Sequence, residues 1–119
     1  MKNRRGSSWT LDAEPWIPAK AAAHVAEKLT AWGCKPPAPL EDVVSFLVTA
    51  VITDGSRRIS VHVSEQNHHV LILALSHQTP DTAVDEDVLP TLRDLGAVSC
   101  GTENSSEGRQ VWALLGLTS

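Results

Sequence analysis

The feature that most constrains this chain is a change of hydrophobic period at Asp54-Gly55. Before it, Leu40, Val43, Val44, Leu47, Val48 and Val51 recur at steps of three and four, which is the apolar face of a helix over 40–53. Glu41 and Asp42 fall in its first turn, where carboxylates suit the helix dipole. After it, Ile59, Val61 and Val63 alternate with Ser60, His62 and Ser64, the period of a half-buried strand. A polar turn over 65–69 leads into a continuous apolar run, Val70 to Leu75, consistent with a central strand covered on both faces or nearly so. A wide-faced helix followed directly by a hairpin has one economical solution, which is to pack the helix on the sheet.

The remaining segments fit that scheme. Ala22, Val25, Ala26, Leu29 and Trp32 make one stripe of a helix over 18–32, with Pro18 in the first turn and Gly33 as its stop. Asp87 caps a third helix over 88–95, with Pro90 in the first turn, Leu89, Leu92 and Leu95 as the buried stripe and Gly96 at its end. Short strands are expected at 8–11, where Trp9 is a core or edge anchor, and at 98–100. A loop over 101–108 then precedes a last strand over 109–115. Residues 1–7, with Lys2, Arg4 and Arg5, read as a disordered basic tail, and 8–117 as a single domain. The fold class is α+β: a two-layer α/β sandwich with helices on one face of a largely antiparallel mixed sheet.

Composition narrows the function. The 119 residues carry a formal net charge of -4, which argues against a nucleic-acid footprint. Cys34 and Cys100 make no disulfide framework and read as reduced, partly buried thiols. No apolar run is long enough to span a bilayer, and no apolar signal segment follows the basic N-terminus, so a cytoplasmic location is expected. Zinc needs four ligands in compact spacing. His62 and the His68-His69 pair approach across the hairpin without an evident third ligand, so no metal site is assigned. Ser45 and Ser76 lack a nucleophile elbow, and neither cysteine has a placed base, so no catalytic residue is assigned.

Val43 to Gly55, VVSFLVTAVITDG, resembles the second core helix of the GHKL ATPase superfamily, which includes the anti-sigma-factor serine kinases and many short actinobacterial ATP-binding proteins. That helix commonly reads VVSELVTNAVRHG, and this chain matches it without gaps at Val43, Val44, Ser45, Leu47, Val48, Thr49 and Gly55. The Ala31-Trp32-Gly33 ending is similar to the family's opening helix, and GRQVWALL (108–115) to its final strand, often GKTVWAEL. The resemblance runs from about Trp9 to Leu115 and implies a GHKL-type sandwich.

The chain departs from the family pattern at the nucleotide site. The family's glutamate base and metal-binding asparagine stand four residues apart on one helix face, and Phe46 and Ala50 occupy those positions. Magnesium takes oxygen ligands, which phenyl and methyl groups lack. Asp54 closes the same helix at the pocket's edge, and His77 stands where the resemblance places the adenine-binding aspartate. The glycine-rich phosphate cradle is replaced by 81–89, without glycine and with Asp81, Asp85, Glu86 and Asp87, which repel phosphate. The resemblance therefore implies a pseudoenzyme: a non-catalytic regulator of bacterial transcription or developmental signalling with no cofactor. Its expected partner is a protein, such as a sigma factor, an anti-sigma antagonist or a transcription regulator, and a homodimer is plausible within the family. Phe46 either fills the vacated pocket or, with Asp81, Asp85, Glu86 and Asp87, belongs to a partner-binding surface. The alternatives are a divergent serine kinase using ATP with magnesium, and a small-molecule sensor built on the remodelled pocket.

Overall fold

The computed structural model describes residues 5–52, 57–66, 68–77, 88–105 and 108–117. In chain order the elements are β1 (Arg5–Asp12), α1 (Ile17–Ala31), α2 (Leu40–Ile52), β2 (Arg58–Gln66), β3 (His69–Ser76), α3 (Val88–Leu95), β4 (Ser99–Ser105) and β5 (Gly108–Gly116). The strands form one sheet in the order β1-β2-β3-β5-β4, and each neighbouring pair is antiparallel. The helices cover one face. α2 lies over the middle strands β2, β3 and β5, flanked by α1 on one side and α3 on the other.

The core is where the two periods meet. Val43, Val44, Leu47, Val48 and Val51 of α2 are fully buried against Ile59, Val61, Val70, Ile72 and Val111 of the sheet. Each such side chain contributes roughly 1.5–3 kcal/mol by leaving water. The helix ends follow the glycine stops expected from the sequence. At the end of α1, Gly33 has φ 81, its N–H donates to Thr30 O, and Cys34 N–H reaches back to Leu29 O at 2.8 Å. α3 ends the same way: Gly96 has φ 119, its N–H donates to Arg93 O, and Ala97 N–H donates to Leu92 O. Both are Schellman closures, which need a left-handed residue after the helix.

Three expectations change. β1 begins at Arg5, so residues 5–7, expected in the tail, belong to the sheet. They pair with Val63, Ser64 and Glu65 by backbone hydrogen bonds, which require no apolar pattern. β4 runs over Ser99–Ser105 where a three-residue strand and a loop were expected, and with β5 it forms a hairpin. Its polar side chains bind across that hairpin: Thr102 Oγ1 donates to Gln110 O at 3.1 Å, and Gln110 Nε2 to Glu103 Oε2 at 2.9 Å. β3 is central but covered on one face only. Val70, Ile72 and Ala74 are buried under the helices, while Leu71, Leu73 and Leu75 lie half-buried on the opposite face.

In the connection from β2 to β3, His68 has φ 64. An L-residue there carries a steric cost that glycine does not. His68→Gly should therefore raise unfolding stability by about 0.5–1 kcal/mol, read as a higher urea midpoint at unchanged slope.

Candidate functional site

The flank of α2 that carries the expected pocket positions is fixed by Ser45. Its hydroxyl donates to Pro18 O at 3.4 Å, which turns the Ser45 side of α2 toward α1. At about 100° per residue, Phe46 and Ala50 then fall on the other flank, the side from which α3 packs. They sit one turn apart, both half-buried, and Phe46 packs against the hydrophobic core. Neither side chain has an oxygen or nitrogen, so these two residues offer no metal ligand and no base. Asp54, Asp81, Asp85, Glu86 and Asp87 lie outside the described residues.

The structure places His77 away from the helix-facing side. Along β3, Val70, Ile72, Ala74 and Ser76 face the helices, and Leu71, Leu73 and Leu75 face outward. His77 continues the outward set. It is exposed, and its Nε2 is hydrogen-bonded to Ser60 Oγ at 2.7 Å. Ser60 itself alternates with the inward Ile59 and Val61, so the pair belongs to the outer side of the sheet. The residue at the end of β3 that does face the helices is Ser76, which is fully buried.

Opposite this end of β3 is a residue that pattern reading passed over. Arg109 is only 5% exposed and shares the inward parity of Val111, Ala113 and Leu115. The last β3–β5 ladder pair is Leu75 with Gln110, and Ser76 and Arg109 come one step beyond it. Nε and Nη2 of Arg109 make no hydrogen bond to a described acceptor, although the residue has other interactions. The available signal was the alternation itself, since a charged residue that continues a buried set of a strand is unusual.

Elsewhere, Trp9 faces the helices from β1, with its ring centroid 5.9 Å from that of His24 on α1. Cys34 and Cys100 are free and half-buried. Cys34 Sγ approaches Glu65 Oε1 at 3.9 Å, and Cys100 Sγ approaches Leu89 O at 3.6 Å. His62 and His68 are exposed and His69 is half-buried. Among the described residues, no three His, Cys, Asp or Glu side chains gather as a metal site. No helix among them is long and apolar enough to cross a membrane. A groove of about 480 Å³ opens between β1 and the start of α1, lined by Leu11, Asp12, Trp16, Ile17, Lys20 and Arg58 among others, with Trp16 62% exposed. Phe46 and Ala50 do not line it.

Among the described residues, five antiparallel strands with three helices on one face make a two-layer α+β sandwich. No protein-family model matches the chain, and no curated protein matches its sequence. Among solved structures, it is similar to the RsbU and RsbW domains of Rv1364c from Mycobacterium tuberculosis, with a TM-score of 0.77 at 16% identity over 97% of this chain. The match takes up 33% of that protein's chain, so the present chain spans about a third of it. At that identity the likeness establishes the shared fold.

Proposed function

We propose that this chain is a non-catalytic regulator that acts by binding another protein, on a nucleotide-binding fold that no longer handles ATP. The observation that carries the reading is the α2 flank. Phe46 and Ala50 stand where the family resemblance places the base and the metal ligand, and neither side chain has a donor atom. The similarity to a protein with an RsbW domain supports a place in sigma-factor signalling, with a sigma factor or an anti-sigma antagonist as the partner. Pseudoenzyme status and the actinobacterial grouping belong to this proposal. The partner-binding surface would include the Phe46 flank and the acidic stretch Asp81, Asp85, Glu86 and Asp87.

Calorimetric titration with ATP and with ADP, each with magnesium, tests the reading. The expected result is no saturable heat and no rise in melting temperature at millimolar nucleotide. Saturable binding tighter than about 0.1 mM overturns it, because that affinity corresponds to more than roughly 5 kcal/mol from a site without its ligands.

A divergent ATP-dependent serine kinase is the second reading, and one observation favours it. Arg109 brings a buried guanidinium to the helix-facing side of the sheet, and a guanidinium is well suited to phosphate oxygens. In that case nucleotide binding would be saturable and would weaken at least tenfold in Arg109→Met. A small-molecule sensor has no comparable observation in its favour.

A further inference from the structure

β1 lies at the edge of the sheet and pairs with β2 alone. One hydrogen bond fixes which of its backbone groups are left over. Ala13 N–H donates to Arg57 O at 2.9 Å, one step beyond the ladder pair Asp12–Arg58. Opposed residues of an antiparallel ladder alternate between bonded and unbonded pairs. Ser7, Trp9 and Leu11 therefore bond to β2, and Gly6, Ser8 and Thr10 turn their N–H and C=O groups off the sheet. Among the described residues, no backbone group meets Gly6, Ser8 or Thr10 along that outer edge.

Such edges are normally blunted by charge, by proline or by a bulge. Between Arg5 and Asp12, β1 has none of these: the sequence is GSSWTL, and the register to β2 runs without a break. Eight regular residues, at about 3.3 Å each, make an edge about 26 Å long. The side chains beside it define what fits. The groove of about 480 Å³ touches Thr10, Leu11 and Asp12 in succession. Successive residues of a strand point to opposite faces, so this groove runs along the edge itself. Its far wall is Trp16, Ile17 and Lys20 at the start of α1. On the inner side, half-buried Trp9 and Leu11, buried Ile17 and the exposed ring of Trp16 make an apolar seat. On the outer side, Gly6, Ser8 and Thr10 are small or polar and exposed. Charge adds no demand of its own. Asp12, Glu14, Lys20 and Arg58 around the groove sum to zero, and Asp12 and Arg58 pair at 3.6 Å.

We propose that β1 is a docking edge, at which an extended segment of a different protein adds as a sixth strand. The unpaired backbone groups require an extended occupant, because only another strand offers donors and acceptors at the same spacing. The two sides of the edge set its pattern. Residues facing α1 are apolar, to lie beside Trp9, Leu11 and Trp16, and the residues between them are polar. This surface is distinct from the Phe46 flank and makes no use of nucleotide, so it stands or falls apart from the calorimetry above.

Amide exchange followed by NMR tests the edge first. In the free chain Gly6, Ser8 and Thr10 should exchange with little protection, and Ser7, Trp9 and Leu11 should be protected by β2. Strong protection of all six overturns the proposal, and so does protection of the first three that grows with protein concentration, which would assign the edge to a second copy. The binding probe is a synthetic peptide with the sequence of β2, RISVHVSEQ, whose alternation already complements β1. It should bind saturably with a dissociation constant of about 100 µM or tighter, shift the amides of β1 and the Trp16 indole, and protect Gly6, Ser8 and Thr10. Ser8→Pro removes an N–H that the ladder does not use, so it should keep the fold by circular dichroism and weaken the peptide at least tenfold. Ser7→Pro removes a ladder bond and should instead lower the melting temperature by roughly 5 °C or more. No saturable binding up to about 1 mM overturns the proposal. So do a Ser8→Pro variant that binds as tightly as wild type, shifts centred on β4, and a scrambled peptide of the same composition that binds equally well.

Discussion

Gly108→Ala should lower unfolding stability by about 2–4 kcal/mol, and the melting temperature by roughly 10–20 °C for a domain of this size. Gly108 opens β5 at the point where β3 ends, with φ 141, a conformation that L side chains rarely adopt. A Cβ there would run into the Ser76 carbonyl oxygen, and that atom belongs to backbone and cannot rotate away. The end of β3 would have to move, taking with it the buried Ser76 and the Ser60–His77 hydrogen bond. Gly116 is the internal control. It lies at the other end of the same strand, and a Cβ added there meets nothing within 4 Å. Gly116→Ala should therefore stay within about 0.5 kcal/mol of wild type. Equal losses from the two variants would show that the close approach at Ser76 does not set the cost.

The same corner of the molecule shows what a sequence can and cannot reveal. The helices were legible because their stripes and stops are local: Leu47 recurs with Val43 and Val51, and Gly33 and Gly96 close their helices with no help from distant residues. The edge strands were not. Ser7 and Ser8 are ordered by partners far along the chain, Val63 and His62, and Thr102 and Glu103 by Val111 and Gln110 across the β4–β5 hairpin, and no apolar alternation in these edge strands announces the pairing. Motif matching carried the family's adenine-binding position onto His77. The alternation of Val70, Ile72 and Ala74 runs on to Ser76, and one step along a strand changes the face. Arg109 was passed over for a related reason: pattern reading treats a charge at a strand's start as a boundary, whereas here it continues the buried set. The apolar run Val70 to Leu75 does put apolar side chains on both faces of β3, but only the face of Val70, Ile72 and Ala74 is buried under the helices.

The contrast between Leu47 and Phe46 decides how much of α2 is core and how much is site. Leu47 is fully buried at the centre of the helix that crosses β2, β3 and β5. Leu47→Ala should cost about 3–5 kcal/mol, the transfer of the lost methyl groups plus the cavity they leave. Phe46 is larger, yet it is only half-buried on the α3 flank, where the helix surface can relax and water can enter. Phe46→Ala should cost only about 1–2 kcal/mol, despite the greater volume removed. Urea melts of the two variants at matched slope would measure both values. The expected order, with the leucine costing more than the phenylalanine, means that part of the Phe46 ring stays outside this chain's own core, as the proposed docking surface requires. The opposite order, with Phe46→Ala as damaging as Leu47→Ala, means that the ring belongs to the core, and the α2 flank would then be structural and not a docking surface.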